Sequence, residues 1–144
     1  MNASEIVTSI LDNMTTSGVE ALSVAPERWV TEDHNQKVIV VLSSTVDPDD
    51  YATQVVVTLS VRTLYGELDV RANVRSLRAG HDDEGNQTWS TISDLTEYDL
   101  TLEDDEVEVS RASGRSSLKR AKVNRRVEDE AFQVAEAIEA ALGL

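Results

Sequence analysis

The spacing of hydrophobic residues predicts a helix at the start of the chain. Its apolar positions recur at the intervals of an amphipathic helix. They are Ile6, Val7, Ile10, Leu11 and Met14. Asn2 can cap this helix, with Glu5 three residues later, and Gly18 is a natural stop. Residues 19–30 have a weaker pattern, and we expect APERWV (residues 25–30) to lead into a short strand.

The middle of the chain changes to the period of strands. Residues 37–46 form a β-branched run, which predicts a strand covered on both faces. Asp47 and Pro48 begin the DPDD turn, and residues 53–65 then alternate, which completes an antiparallel hairpin. One face of this second strand carries Val55, Val57, Leu59, Val61, Thr63 and Tyr65, and the other carries Thr58, Ser60 and Arg62.

Residues 66–80 fit two periods. Leu68, Val70, Ala72 and Val74 alternate with polar residues as in a strand, but Val70, Val74 and Leu77 also have helical spacing. Because the alternation is strict over eight residues, we favour a strand.

A second hairpin and a C-terminal helix complete the pattern. HDDEGN (residues 81–86) predicts a turn before a strand near Trp89, and two further strands flank the acidic turn EDDE (residues 103–106). A helix that begins near Leu118, capped by Ser116 or Ser117, carries a long apolar stripe that includes Ile138. The chain therefore predicts one α+β domain over residues 1–144, a mostly antiparallel sheet of five to seven strands flanked by N-terminal and C-terminal helices.

Composition adds a strong acidic bias. The 144 residues include 27 acidic and 13 basic side chains, a net charge of −14, and arginine outnumbers lysine ten to three. This balance is typical of proteins from extreme halophiles, although an ordinary acidic protein of a GC-rich genome has a similar composition. The chain has no cysteine, which excludes disulfides. Its longest purely apolar run, at residues 38–42, is too short to cross a bilayer, so we expect no membrane partner.

No catalytic or cofactor motif emerges. His34 and His81 have polar neighbours and no pattern of further ligands, and the paired acids fall in predicted turns. Glycine-rich nucleotide loops and the zinc and serine-hydrolase motifs do not occur. We therefore expect a protein that is not an enzyme, with no cofactor and no metal.

The basic residues are concentrated in residues 110–126, a segment with no acid, which we call the basic island. The island consists of Arg111, Arg115, Lys119, Arg120, Lys122, Arg125 and Arg126. Cations in the first turns of a helix oppose its dipole, so helix stability does not explain them. One interpretation is a solvated face that offsets acids of the same chain. We favour the hypothesis that the island is a subunit interface, which meets the acidic turn at residues 103–106 or at residues 81–86 of another copy.

The island lacks an aromatic residue to stack on bases, so we expect no sequence-specific binding of nucleic acid.

The order of elements resembles a family of viral assembly proteins. The segments PERWV, KVIVVLSSTV, VVVTLSVRTLY and EDEAFQVAEAIEAALG are similar in layout to tail-terminator or tail-completion (neck) proteins of tailed viruses. That resemblance implies a small α+β subunit of the virion, assembled in the host cytoplasm. It would form a homo-oligomeric ring that contacts tail-tube or head-closure subunits. The halophilic composition suggests a haloarchaeal host.

A small acidic dimeric chaperone, resembling those of type III secretion, is the alternative. Such chaperones normally have a helix that interrupts the sheet, so the state of residues 66–79 distinguishes the two layouts.

If the composition reflects halophily, the isolated protein will lose structure as salt is removed. The Debye length grows from about 3 Å at ~1 M salt to about 10 Å at ~0.1 M, so the many acids repel over longer distances. Circular dichroism and the melting temperature, followed from about 3 M to about 0.1 M salt, measure this loss. An unchanged spectrum and melting temperature would contradict the halophilic interpretation.

Overall fold

Two helices enclose seven strands in chain order. The computed structural model of the chain describes residues 2–16, 21–26, 34–46, 51–90, 97–113 and 121–144. The elements are α1 (Ala3–Thr16), β1 (Ala21–Pro26), β2 (Asn35–Val46), β3 (Ala52–Leu64), β4 (Glu67–His81), β5 (Gln87–Ser90), β6 (Glu97–Glu103), β7 (Glu106–Ser113) and α2 (Ala121–Leu142).

The strands form one antiparallel sheet. Its order is β1-β2-β3-β4-β6-β7, and the short β5 pairs with the last residues of β4. The ambiguous segment at residues 66–80 is therefore largely a strand, β4, as its polar alternation predicted. The predicted α+β class, with a mostly antiparallel sheet between terminal helices, is confirmed.

Both helices cover the same face of the sheet. α1 contacts β2 and β3, α2 contacts β4, β6 and β7, and the two helices contact each other. The core comprises the alternate strand residues that point toward the helices, among them Val57 and Leu59 of β3, Val74 of β4 and Leu100 of β6. Leu59 is buried in the same cluster as Ile138 of α2.

The start of α1 follows its predicted cap. The side-chain oxygen of Asn2 accepts a hydrogen bond from the backbone nitrogen of Glu5 at 2.9 Å. This bond satisfies one of the amides that the first turn of a helix leaves without a partner. The predicted stop at Gly18 lies outside the described residues.

Three details differ from the sequence-based expectation. The first strand, β1, ends at Pro26 and so contains the first two residues of APERWV, the segment that was expected to lead into a strand. On the sheet face without helices, Ile39 and Val41 of β2 are only half-buried, so β2 is not covered on both faces. Tyr65 is not a strand residue: it occupies the β3–β4 turn with a positive φ of 52°, next to Gly66, and is 97% exposed.

Other expectations fall on residues that the structure does not describe. These are the turn at residues 47–50 and the helix start at residues 116–118. Neither α1 nor α2, the helices of the described residues, is long and apolar enough to span a bilayer.

Replacing Ile138 with alanine will destabilise the fold. Its side chain is 1% exposed within the core, so the substitution leaves a cavity that costs about 2–5 kcal/mol of unfolding free energy. Urea denaturation measures the loss. Glu136→Ala on the exposed side of the same helix is the control, with an expected change within about 0.5 kcal/mol. A loss below about 0.5 kcal/mol for Ile138→Ala would mean that α2 does not dock on the sheet.

Candidate subunit interface

Helix α2 runs back along strand β7 in the opposite direction. Near the start of β7, the backbone nitrogen of Val107 donates to the Glu139 carboxylate at 2.9 Å. Near the other end, Tyr98, which lies opposite Arg111 across the β6–β7 ladder, is hydrogen-bonded to Glu128. These two contacts fix the direction of the helix along the edge of the sheet.

One end of this edge is strongly acidic. The β6–β7 turn, the first residues of β7 and the C-terminal half of α2 bring seven carboxylates to the same end of the molecule. This acidic end consists of Glu103, Asp104, Asp105, Glu106, Glu108, Glu136 and Glu139. All of these residues are exposed except Glu139, which is partly buried where it accepts from Val107.

The described part of the basic island lies toward the opposite end. Arg111 is exposed near the end of β7, Lys122 lies in the first turn of α2, and Arg125 is exposed on that helix. Arg126 is only partly exposed. The other members of the island, Arg115, Lys119 and Arg120, lie outside the described residues.

The separation of the two ends follows from element geometry. From Glu106 to Arg111 the strand rises by about 17 Å, at roughly 3.3 Å per residue. From Arg125 to Glu139 the helix rises by about 21 Å, at 1.5 Å per residue. Both distances exceed the Debye length of about 8 Å at physiological salt, so the two patches act as separate surfaces.

Only one of the two acidic turns considered from the sequence lies at the acidic end. Arg75 of β4 lies opposite Glu97 at the start of β6, so the C-terminal end of β4 lies at the same end of the molecule as the basic island. The turn at residues 82–86 follows β4 and therefore extends beyond that end. The side chain of Asp82 accepts from the backbone nitrogens of Glu84 and Asn86, both at 2.9 Å, so it stabilises its own turn. The turn at residues 103–106 is thus the candidate partner of the basic island.

Arg126 already has a partner in its own chain. Its guanidinium donates to Glu130 at 3.1 Å, which is the i, i+4 pair that the sequence allows. The second carboxylate oxygen of Glu130 is buried without a hydrogen-bond partner. Burial raises the pKa of Glu130 and outweighs the opposing effect of Arg126, while Asp129 adds to the rise. Arg126 therefore uses part of its hydrogen-bonding capacity within its own chain, whereas Arg125 is exposed.

Arg111 influences a buried tyrosine. Burial raises the pKa of the Tyr98 hydroxyl, the charge of Glu128 and its hydrogen bond raise it further, and Arg111 lowers it. The Arg111 side chain is nevertheless exposed, so it remains accessible to another molecule.

A cleft lies between β7 and α2 at the acidic end. Its volume is about 490 Å³. The cleft is lined along β7 by residues 106–110 and along α2 by Phe132, Ala135, Glu136 and Glu139. Phe132 is 50% exposed and contributes apolar surface to the cleft. The cleft thus combines an apolar wall with a rim of carboxylates.

The helix-free face of the sheet carries an ordered polar network. Asn73 donates to Glu97 at 2.7 Å and to Asp99 at 2.8 Å, and Arg75 donates to Asn73 and Thr58, both at 3.1 Å. A cavity of about 300 Å³ lies between β3, β4 and β6 on this face. These polar groups are hydrogen-bonded to one another and their charges are of both signs. The network therefore stabilises the sheet through cross-strand pairs.

A group of ion pairs lies on the same face of the sheet, near the β3–β4 turn. Asp69 accepts from Arg62 at 3.3 Å and from Arg71 at 3.2 Å. All three side chains are more than a third exposed, and such ion pairs contribute little to stability.

The histidines do not form a site in the described chain. His34 and His81 are both exposed. No group of three or more histidine, aspartate or glutamate side chains among the described residues has the geometry to hold a metal ion.

Sequence reasoning found the basic island and the acidic turn but missed the cleft. The residues that it missed are Phe132, Glu136 and Glu139, which recur at helical spacing on one side of α2. That spacing was the available signal, but it does not reveal which strand lies beside the helix.

A comparison of the chain with protein-family models, curated proteins and solved structures finds no match.

Replacing Glu130 with glutamine will change how stability depends on pH. Because burial raises the pKa of Glu130, the folded state holds its proton more tightly than the unfolded state. The stability that this group contributes is therefore present at low pH and lost as the pH rises through the folded-state pKa. We expect wild type to lose stability relative to Glu130→Gln as the pH rises above the ordinary pKa of a glutamate, about 4.3, measured by urea denaturation. A constant difference between the two proteins would contradict the raised pKa.

Proposed function

We propose that the chain is a non-enzymatic structural subunit that associates with copies of itself head to tail and forms a ring. The observation that carries this proposal is the segregation of charge along one edge of the fold. The acidic end and the basic island occupy opposite ends of β7 and α2, so two copies in line bring unlike patches together.

Short-range pairing suits this contact. Arginine forms bidentate hydrogen bonds with carboxylates, and five of the seven cations in the island are arginine. Pairs at contact distance survive high salt better than long-range attraction does. The same interface is therefore compatible with the halophilic composition.

A ring follows if the rotation between neighbours closes. A contact between unlike patches of identical chains is heterologous, and it generates a ring or an open filament. The resemblance to tail-terminator and neck proteins favours the ring. In this proposal the ring belongs to a virion, where it contacts tail-tube or head-closure subunits.

The chaperone alternative has less support. Type III secretion chaperones normally have a helix that interrupts the sheet, whereas this chain has β4 there, a continuous strand from Glu67 to His81. The continuous strand favours the ring-forming subunit.

Charge reversal of the basic island will abolish assembly. In the variant Arg120→Glu with Arg125→Glu, like charges face the acidic end of the neighbour, whereas Arg126 is left intact because it supports Glu130. We expect wild type to form a defined oligomer by native mass spectrometry and size-exclusion chromatography with light scattering, and the variant to be a folded monomer by circular dichroism.

The matched control reverses the other patch. Asp105→Lys with Glu106→Lys will also be monomeric, but an equimolar mixture of the two variants will associate, because each supplies the charge that the other needs. A basic-island variant that assembles like wild type would refute the interface, and a monomeric wild type would refute the proposed function. Negative-stain electron microscopy distinguishes a ring from a filament.

A further inference from the structure

Strand β7 offers an open hydrogen-bonding edge. Among the described residues β7 pairs with β6 alone, and the ladder is regular from Glu106 through Arg111. In an antiparallel ladder, alternate residues direct both backbone groups toward the partner strand, and the residues between them direct both groups away. The Val107 nitrogen donates to Glu139, so it points away from β6. Val109, two residues later, therefore also points its N–H and C=O out of the sheet.

This edge opens into the cleft beside α2. The cleft follows β7 over residues 106–110, with Phe132 and Ala135 as its apolar wall. Five residues of extended chain span about 17 Å, which is enough for a short added strand. Natural proteins usually block such an edge. Here Glu139 occupies the first outward N–H, at Val107, whereas β6 is the only described strand that pairs with Val109, and it lies on the other side.

The rim of the cleft selects for positive charge. Glu106 and Glu108 lie along the strand, and Glu136 and Glu139 along the helix. A neutral or acidic strand would leave these carboxylates uncompensated, whereas a basic strand would pair with them. In this chain the basic residues are concentrated in residues 110–126.

We propose that the cleft binds the basic segment 114–120 of a second copy, GRSSLKR, which adds to β7 as a further strand. This inference rests on the proposed function and specifies how the head-to-tail contact is made. Backbone hydrogen bonds at Val109 supply the affinity, and the carboxylates pair with Arg115, Lys119 and Arg120 of the incoming segment. Glu139 ends the added strand at Val107 and so fixes its register.

The test uses the monomeric Arg120→Glu/Arg125→Glu variant, in which no neighbouring segment occupies the cleft, and a peptide with the sequence of residues 110–122, followed by amide NMR. We expect the Val109 amide to exchange rapidly with solvent in the free monomer and about tenfold more slowly when the peptide is bound. A peptide of the same composition in scrambled order is the control. Unchanged exchange at Val109 would overturn strand addition, and equal binding of the scrambled peptide would overturn the assignment of the segment.

A backbone substitution, made in the same monomeric variant, gives a second readout. Val109→Pro removes the outward N–H and leaves the bonds to β6 intact, since proline is tolerated where an edge N–H faces solvent. We expect it to weaken peptide binding about tenfold, as for one lost backbone hydrogen bond, whereas Val109→Ala, which keeps the N–H, changes binding by less than about threefold. Equal binding by the two variants would overturn the proposal.

The outcomes separate this inference from the proposed function. If charge reversal abolishes assembly but Val109→Pro assembles like wild type, strand addition is wrong and the head-to-tail contact stands. If wild type is monomeric at every concentration and the peptide still protects Val109, the cleft stands as a site for a basic strand. The proposed function then fails, and with it the second copy as the occupant.

Discussion

Both helices pack on one face of the sheet, and the remaining features of the molecule depend on this constraint. The buried face uses every second strand residue, so Val57, Val74 and Leu100 lie in the core while their neighbours face the other way. The helix-free face must then satisfy its polar groups within the sheet, which the hydrogen bonds of Asn73 accomplish. Because no second helical layer is described there, charged residues can be tolerated at high density.

The same packing determines where charge accumulates. α2 lies over β4, β6 and β7 and reaches the outer edge of the sheet, which places its exposed side beside β7. Acids of the helix thus join acids of the β6–β7 turn, although they are 30 to 36 residues apart in the chain. The bond from Val107 to Glu139 joins the two groups directly. The acidic end is therefore a property of the tertiary structure, whereas the basic island is a single segment of the sequence.

Much of the fold was predictable because its signals are local. The alternation that includes Val55 and Val61, the cap at Asn2 and the turn at residues 103–106 each depend on neighbours within a few positions. Residues 66–80 were resolved correctly by the same reasoning, since alternation over many residues outweighs a chance helical spacing.

The errors involve tertiary context. The expectation that β2 is buried on both faces was wrong. A β-branched run also occurs in strands that are covered on one face, and the sequence does not show which face of a sheet a helix covers. Tyr65 continues the alternating pattern of β3, so it was expected in the strand. The two-residue turn between β3 and β4 needs two residues of positive φ, and Tyr65 and Gly66 are those residues. For the candidate interface, the basic island was visible as a charge run. The cleft was not, because the pairing of Glu139 with Val107 spans 32 residues of sequence.

The acids that make the cleft selective also restrict the symmetry of assembly. Two β7 edges brought together around a twofold axis would oppose Glu106 and Glu108 of one copy with the same residues of the other. Like charges directly across a strand pair are destabilising, and Glu136 and Glu139 would add to the repulsion. An isologous sheet-extending dimer is therefore disfavoured at this edge, while a contact with a basic segment is not. The carboxylates thus disfavour self-pairing of β7, which has no described strand on its outer side, and the proposed head-to-tail contact needs an edge of this kind.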